Sequence, residues 1–207
     1  MRFYAASMDT HTARPSALTS APGFTPGRPP EWDLTIFLHG DELQTALITL
    51  ERNRRTFAWK CWDVDSDGLQ LRLGPSAITL GGLLKHLALC EEMKFQSDLT
   101  GAPLLPEFRD IDHESTWETW AWESAKDDDP EVLRDLWVRA VHRSRDTLAA
   151  ILAESDLDHA PEGGMSLRRL ISDLIEEYAR HTGHADFLRE AVDGATGEGP
   201  PRNFPVP

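Results

Sequence analysis

Cysteine is scarce in this sequence: the 207 residues include only Cys61 and Cys90. Two cysteines cannot build the dense disulfide framework of small secreted domains. A chain of this length buries enough apolar surface to fold without disulfide bonds or a structural metal. The cysteine content therefore favours a reducing compartment, and we expect a cytoplasmic protein.

Long hydrophobic runs are also missing. No stretch approaches the roughly 18 apolar residues that a membrane-spanning helix needs. The first twenty residues, MRFYAASMDTHTARPSALTS, contain no apolar segment of the kind that signal peptides carry. We expect neither membrane insertion nor export.

Basic residues are outnumbered by acidic ones. Lys and Arg total 21 against 35 Asp and Glu, so the net charge at pH 7 is −14, and no block rich in Lys or Arg occurs. A surface of this sign repels nucleic-acid phosphates and anionic lipid headgroups. We therefore expect no nucleic-acid partner and no membrane partner.

Proline and glycine are concentrated at the two ends of the chain. Five prolines lie within the first 30 residues, and the last eleven residues read GEGPPRNFPVP. Both compositions are typical of irregular structure. We expect an irregular N-terminal arm (1–35), one folded domain (36–196) and an irregular C-terminal tail (197–207).

Between these ends, apolar residues recur at steps of three and four, and no convincing alternating strand pattern occurs. Ser166 is a candidate N-cap, and Gly194 stands where a glycine would end the last helix. The pattern predicts an all-α protein, a four-helix bundle with a long connection between helices 2 and 3. The four predicted helices run from about Asp41 to Trp62, Leu80 to Gln96, Pro130 to Glu154 and Leu167 to Val192.

The long connection, about 98–129, contains Trp117, Trp120 and Trp122. Connections of this length in a compact domain are usually functional or packed over another part of the molecule. Two interpretations stay open. The tryptophans form either a lid over a binding site or a small separate cluster beneath the loop.

Polar residues occupy core-facing positions in the last predicted helix. Its apolar stripe runs through Glu177 and His181, which stand four residues apart on one helix face. A buried carboxylate is costly unless a partner compensates its charge, and a metal ion does so. His86, on the stripe of the second helix, provides a third ligand from a facing helix. Three protein ligands leave a coordination position open, as in catalytic sites.

Each of these inward polar residues also fits a role outside a metal site. His86 and Glu177 would be satisfied by a hydrogen bond across a metal-free core. Cys90, one turn after His86, either lines the pocket or is a small core side chain. Arg54, on the inner stripe of the first helix, binds an anionic substrate group, pairs with Glu91, or extends its charged end to the surface.

Two stretches, SAITLGGLLKHLALCEE and SLRRLISDLIEEYARHTGHADFLREAVDGATG, resemble the DinB-like superfamily, in particular its actinobacterial branch. Relatives there include mycothiol-dependent maleylpyruvate isomerases and bacillithiol or mycothiol S-transferases. The resemblance covers roughly residues 40–196. It implies a four-helix bundle whose divalent metal, zinc first and nickel as the alternative, is held by three inward side chains.

The resemblance places the metal ligands on His86, Glu177 and His181. His184 stands where relatives carry Gln or Asp, which implies a place beside the metal or the substrate, with direct ligation as an alternative. The chemistry of these relatives, where known, uses a low-molecular-weight thiol, which a metal with an open position can bind and hold as thiolate. We expect that thiol and a small-molecule electrophile as partners. His184 and Arg54 are then the candidate catalytic residues.

Three functions are compatible with these features. The first is a metal-dependent enzyme, either a mycothiol-type thiol S-transferase or a thiol-dependent isomerase. The second is a non-catalytic metal- or ligand-binding protein of the same fold, and the third is a purely structural bundle. A homodimer is common among bundles of this kind, although no sequence feature marks an interface.

Overall fold

The computed structural model of the protein describes residues 38–109, 111, 117–201 and 204. Helices dominate this part of the chain, which contains no β-strand, so the all-α prediction is confirmed. The predicted arm 1–35 and most of the tail lie outside it. The six α-helices are α1 (Glu42–Cys61), α2 (Ser66–Gln70), α3 (Leu80–Glu91), α4 (Trp117–Ser124), α5 (Pro130–Glu154) and α6 (Leu167–Asp193).

The long helices begin and end at residues that satisfy their free backbone groups. Asp41 caps α1 in a capping box, because its carboxylate accepts from the amide of Gln44, whose side chain accepts in return. Ser166 caps α6 by accepting from the amide of Arg169. Gly194 ends α6 with a φ of 75°, a left-handed conformation that favours glycine. Both predicted end signals of α6 are confirmed.

The second predicted helix differs from the expectation near its end. Helix α3 stops at Glu91, and a π-helical segment, Glu92–Asp98, continues it. Glu92 is fully buried there and accepts from the amide of Leu105 and from Arg143. These partners lie outside the helix, so the periodicity of the segment itself did not reveal the change.

Two short helices were not predicted. Helix α2 lies in the connection after α1, where the Asp65 side chain accepts from the amide of Gly68. Helix α4 lies within the long connection and is followed by a 3₁₀ turn, Ala125–Asp127. A further 3₁₀ turn, Pro106–Phe108, precedes it. The long connection therefore has secondary structure of its own, and α4 packs against α3.

The four long helices pack as two main pairs, α1 with α6 and α3 with α5. Helix α3 also contacts α6, which brings one face of each helix together. Leu50, Phe57, Leu83 and Leu87 are fully buried in the shared core, and Trp137 of α5 stands edge-to-face on Phe57 with ring centroids 5.7 Å apart. The meeting of α3 and α6 positions the candidate site.

A buried polar network crosses this core. Arg54 is 1% exposed and donates to both oxygens of Glu91, at 2.7 and 2.6 Å, and to Glu51 at 2.7 Å. Arg145 donates to the two oxygens of Glu51 at 3.1 and 2.8 Å. The predicted pairing with Glu91 is confirmed, and extension of Arg54 to the surface is wrong, because two buried carboxylates provide the charge partners it needs.

The network continues into the other helices. Tyr178 of α6 donates to Glu91 at 2.8 Å and accepts from the indole N–H of Trp137 at 2.9 Å. Burial alone would lower the pKa of Arg54, but Glu91 and Glu51 raise it well above its ordinary value. For Tyr178, burial raises the pKa, and the negative charge of Glu91 raises it further. Arg54 is therefore a cation and Tyr178 a neutral donor, and the network joins all four long helices.

Replacing Arg54 by Met should lower the free energy of unfolding by about 3–5 kcal/mol, because Glu91 would remain buried without its cation. Urea unfolding followed by circular dichroism measures the change. Arg180→Ala is the control: Arg180 pairs with Glu176 on the surface, and its loss should cost less than about 1 kcal/mol. Equal, small effects of both substitutions would contradict a structural role for the Arg54 network.

Candidate metal centre

Glu177 lies between two histidines where α3 meets α6. Its Oε2 atom is 3.2 Å from Nε2 of His86 and 3.3 Å from Nε2 of His181. The centroids of the two imidazole rings are 4.5 Å apart. The structure thus brings together the three side chains that the sequence singled out as ligands.

The carboxyl of Glu177 is ionised at neutral pH. The hydrogen bond from His181 has the largest effect on its pKa and the hydrogen bond from His86 the next largest. Together they hold the pKa well below the ordinary range, although burial acts in the opposite direction. Its side chain is 33% exposed, whereas those of His86 and His181 are 18% and 9% exposed. The site is therefore a largely enclosed carboxylate flanked by two imidazoles, and one side of it opens to solvent.

Cys90 adds a fourth polar group. Its Sγ atom is 3.6 Å from Nε2 of His86. Three side chains in the described ranges could hold a metal ion together: His86, Cys90 and Glu177. Each offers one ligand atom, and these three atoms all lie within 4.8 Å of one another. His181 is not a member of this group, and it contacts the group through Nε2, which lies 3.3 Å from Oε2 of Glu177. Burial raises the pKa of Cys90, as do Glu177 and Glu91.

The donor set fits a divalent transition metal. Tetrahedral zinc with bonds of about 2.0–2.2 Å to nitrogen and oxygen separates two such ligands by about 3.4 Å. The two Glu177–histidine separations, 3.2 and 3.3 Å, are close to this value. Imidazole nitrogen, carboxylate oxygen and thiol sulfur suit zinc or nickel better than magnesium or calcium.

Trp122 of α4 covers His86. The two rings are stacked, with centroids 5.1 Å apart and planes inclined by 29°, and Trp122 is 6.1 Å from His181. Gly82 makes this approach possible, because a Cβ atom there would stand 2.6 Å from the Trp122 ring. Trp122 is not among the residues that line the cleft beside His86, so a lid over the site stays a prediction.

Trp120 packs against the main hydrophobic core, so the prediction of a separate cluster is wrong for this residue. Its ring stands edge-to-face on Phe108, with centroids 5.6 Å apart, and Nζ of Lys85 lies 4.6 Å from it. The side chain of Trp117 lies outside the described part of the protein. Both described tryptophan side chains, Trp120 and Trp122, pack against the core from α4.

His184 lies behind His181. The two Nδ1 atoms are 3.3 Å apart, on the side of the His181 ring away from the nitrogen that faces Glu177. Burial lowers the pKa of His184, and His181 and Arg180 lower it further, so the ring is neutral at pH 7. Among the predicted alternatives, this position favours a place beside a ligand over direct ligation.

A cleft of about 560 Å³ leads to the four polar side chains His86, Cys90, Glu177 and His181, which we call the cluster. His86, Cys90 and Glu177 line it together with the apolar side chains of Leu89 and Met93. The other residues that line the cleft are charged. The sequence analysis did not single them out as site residues, although Asp173 stands four residues before Glu177 and Lys94 stands four residues after Cys90. Lys94 donates to Asp173 at 3.2 Å, and Arg169 contacts the second oxygen of Asp173 at 2.6 Å.

Comparison with known protein families identifies the family to which the chain belongs. The family model described as mycothiol S-transferase matches residues 46–194, which is more than half of the chain. The chain belongs to the mycothiol S-transferase family. This agrees with the DinB-like resemblance in the sequence. No curated protein and no solved structure matches the chain.

The match to the mycothiol S-transferase family begins within α1 and ends just after α6, so it spans every described helix from α1 to α6. All four cluster residues, His86, Cys90, Glu177 and His181, lie inside it. Of the two predicted catalytic residues, His184 is beside the cluster, and Arg54 is in the buried network with Glu91. None of the helices in the described part of this family member is long and apolar enough to cross a membrane.

Purified protein should contain close to one zinc or nickel ion per chain, and His86→Ala should lose it, because the substitution removes the ligand that α3 supplies nearest to Glu177. Elemental mass spectrometry without added metal measures the content. His142→Ala, which changes an exposed histidine of α5, is the matched control and should keep the metal. Equal metal content in both variants, or no metal in the wild type after incubation with zinc, would contradict the site.

Proposed function

We propose that the protein is a metal-dependent S-transferase that joins a mycothiol-type thiol to a small electrophile. The observation that carries the proposal is the ionised carboxylate of Glu177 between two imidazoles, at the end of a cleft, in a member of the mycothiol S-transferase family. His86, Glu177 and His181 would hold the metal. Bound there, a zinc or nickel ion would keep the thiol sulfur as a thiolate at neutral pH.

The histidines have distinct duties in this proposal. His86 and His181 each turn Nε2 toward Glu177. With a metal bound, Nε2 of His181 would be a ligand atom and would no longer donate to Glu177. Its proton would then sit on Nδ1, and Nδ1 of neutral His184, 3.3 Å away, would accept it. Partners of this kind fix the tautomer and orientation of a ligating histidine. His184 is therefore a positioning residue for His181, and Trp122 restrains the ring of His86 from a separate helix, α4.

The cleft accommodates the two reactants. Leu89 and Met93 offer an apolar surface next to the cluster, which suits a small hydrophobic electrophile. Lys94, Asp173 and Arg169 present donors and acceptors to the polar part of the thiol. In the transfer, one S–C bond forms between the thiolate and the electrophile. With an alkyl halide, the carbon–halogen bond breaks and halide and the thiol proton are released; with an epoxide or an activated alkene, the C–O bond or the C=C π bond breaks and the product takes up that proton.

Arg54 has a different part from the substrate-binding one first considered. Its three hydrogen bonds to Glu91 and Glu51 engage the guanidinium inside the core. Glu91 adjoins Cys90, and Tyr178, which donates to Glu91, adjoins Glu177. We assign Arg54 the role of neutralising and orienting Glu91, which accepts from Tyr178 and so holds α3 against α6 beside the cluster.

A metal-free structural bundle is the competing account, and the 3.2 Å contact between His86 and Glu177 would satisfy both groups without an ion. The two accounts differ in their response to a chelator. Removal of a bound metal by a chelator would expose an uncompensated cluster and lower the melting temperature, whereas a metal-free core would be indifferent. A thiol-dependent isomerase would use the same ligands and the same thiol, but it would regenerate the thiol and release no thioether.

Zinc-loaded protein should consume mycothiol in the presence of one or more small electrophiles from a panel of alkyl halides, epoxides and activated alkenes. Glu177→Gln should lower the rate at least about 100-fold, because the anionic ligand is lost. Mass spectrometry of the thioether product measures the rate.

Glu190→Gln is the matched control, because it removes an exposed carboxylate from the same helix and should leave the rate unchanged. Full activity in Glu177→Gln, or full activity after chelation, would rule out the proposed role of the metal. Consumption of maleylpyruvate-type substrates without thioether formation would point to the isomerase instead.

A further inference from the structure

We propose that Cys90 supplies a fourth ligand to the metal, through Sγ, beside His86, Glu177 and His181. The proposal rests on the metal dependence proposed above and extends it to a residue that sequence reasoning treated as a pocket or core side chain. It follows from distances within the cluster and from the helix positions of the four residues.

The distances fit a shared ion. With bonds of about 2.3 Å to sulfur and 2.0–2.1 Å to nitrogen at a tetrahedral angle, the two ligand atoms stand about 3.6 Å apart. Sγ of Cys90 is 3.6 Å from Nε2 of His86. Both atoms and a carboxylate oxygen of Glu177 lie within 4.8 Å of one another, and Nε2 of His181 lies 3.3 Å from Oε2 of Glu177.

The helices supply the ligands in matching ways. His86 and Cys90 stand four residues apart on α3, as Glu177 and His181 do on α6. Residues at this spacing project from adjacent turns of one face. Each helix therefore offers two donors to the same gap, and the polar network anchors each pair, through Glu91 next to Cys90 and Tyr178 next to Glu177.

Cys90 is not closed off by core packing. It is partly exposed and lines the cleft, whereas Cys61, the other cysteine of the chain, is fully buried among the core side chains. A sulfur donor also narrows the choice of metal, because thiolates favour zinc over magnesium, calcium or manganese. The resulting site would have two nitrogen atoms, one oxygen atom and one sulfur atom from the protein, and the substrate thiol would bind as a fifth ligand, since catalytic zinc sites can expand to five-coordinate.

Cobalt substitution tests the proposal directly, since thiolate bound to Co²⁺ gives an intense charge-transfer band in the near ultraviolet, separate from the visible d–d bands of the ion. The wild-type protein should show both sets of bands. Cys90→Ser should keep the d–d bands and lose the charge-transfer band, and Cys61→Ala should keep both. Zinc affinity of Cys90→Ser should fall at least about tenfold, as measured by competition with a chromophoric chelator.

The outcomes separate the two proposals. Visible d–d bands without a charge-transfer band in the wild type would overturn ligation by Cys90 while leaving the metal site in place. A charge-transfer band that persists in Cys90→Ser or disappears in Cys61→Ala would also overturn it, and the Cys61→Ala result does not depend on how well Cys90→Ser folds. Failure of the wild type to bind cobalt or zinc at all would overturn this inference together with the proposed function.

Discussion

The buried ion pair between Arg54 and Glu91 constrains the arrangement of the whole bundle. Both groups are almost completely inaccessible to solvent, and two further side chains, Glu51 and Tyr178, complete their hydrogen bonds. Removing ionised groups from water costs several kcal/mol per ion unless geometry is close to ideal. Only one relative placement of α1, α3 and α6 keeps these bonds, and Trp137 adds α5 through Tyr178. Apolar packing alone would allow the helices to slide or rotate with less penalty.

That constraint reaches the candidate site through neighbouring residues in the chain. Glu91 follows Cys90, and Tyr178 follows Glu177, so the polar network fixes the backbone one residue away from the cluster on both helices. Helix α4 then places the Trp122 ring against His86, where Gly82 leaves room for it. The cluster is therefore supported from three helices, and the ligand atoms are held near one another by groups that would not themselves touch a metal. This is the arrangement that a preorganised metal centre needs.

Helix periodicity predicted the four long helices within a few residues, and the stripe of α6 correctly placed His181 on its buried face. Glu177 lies at the edge of that face with 33% of its side chain exposed, and Tyr178 takes the buried position. Periodicity describes the faces of single helices, however, and not which helices meet. It left three outcomes open for Arg54, and the partner could be chosen only once α1 stood against α3. It also missed α4, the π segment after Glu91 and the proximity of Cys90 to Glu177, because each depends on contacts between distant parts of the chain.

We propose that α3 and α6 together hold one metal ion. Anomalous diffraction at the zinc absorption edge, from crystals grown with zinc, should then show a single strong peak among Glu177, His86 and His181, within about 2.0–2.3 Å of their ligand atoms. An empty cluster, with the Glu177 carboxylate still hydrogen-bonded to both histidines in fully ordered crystals, would contradict it.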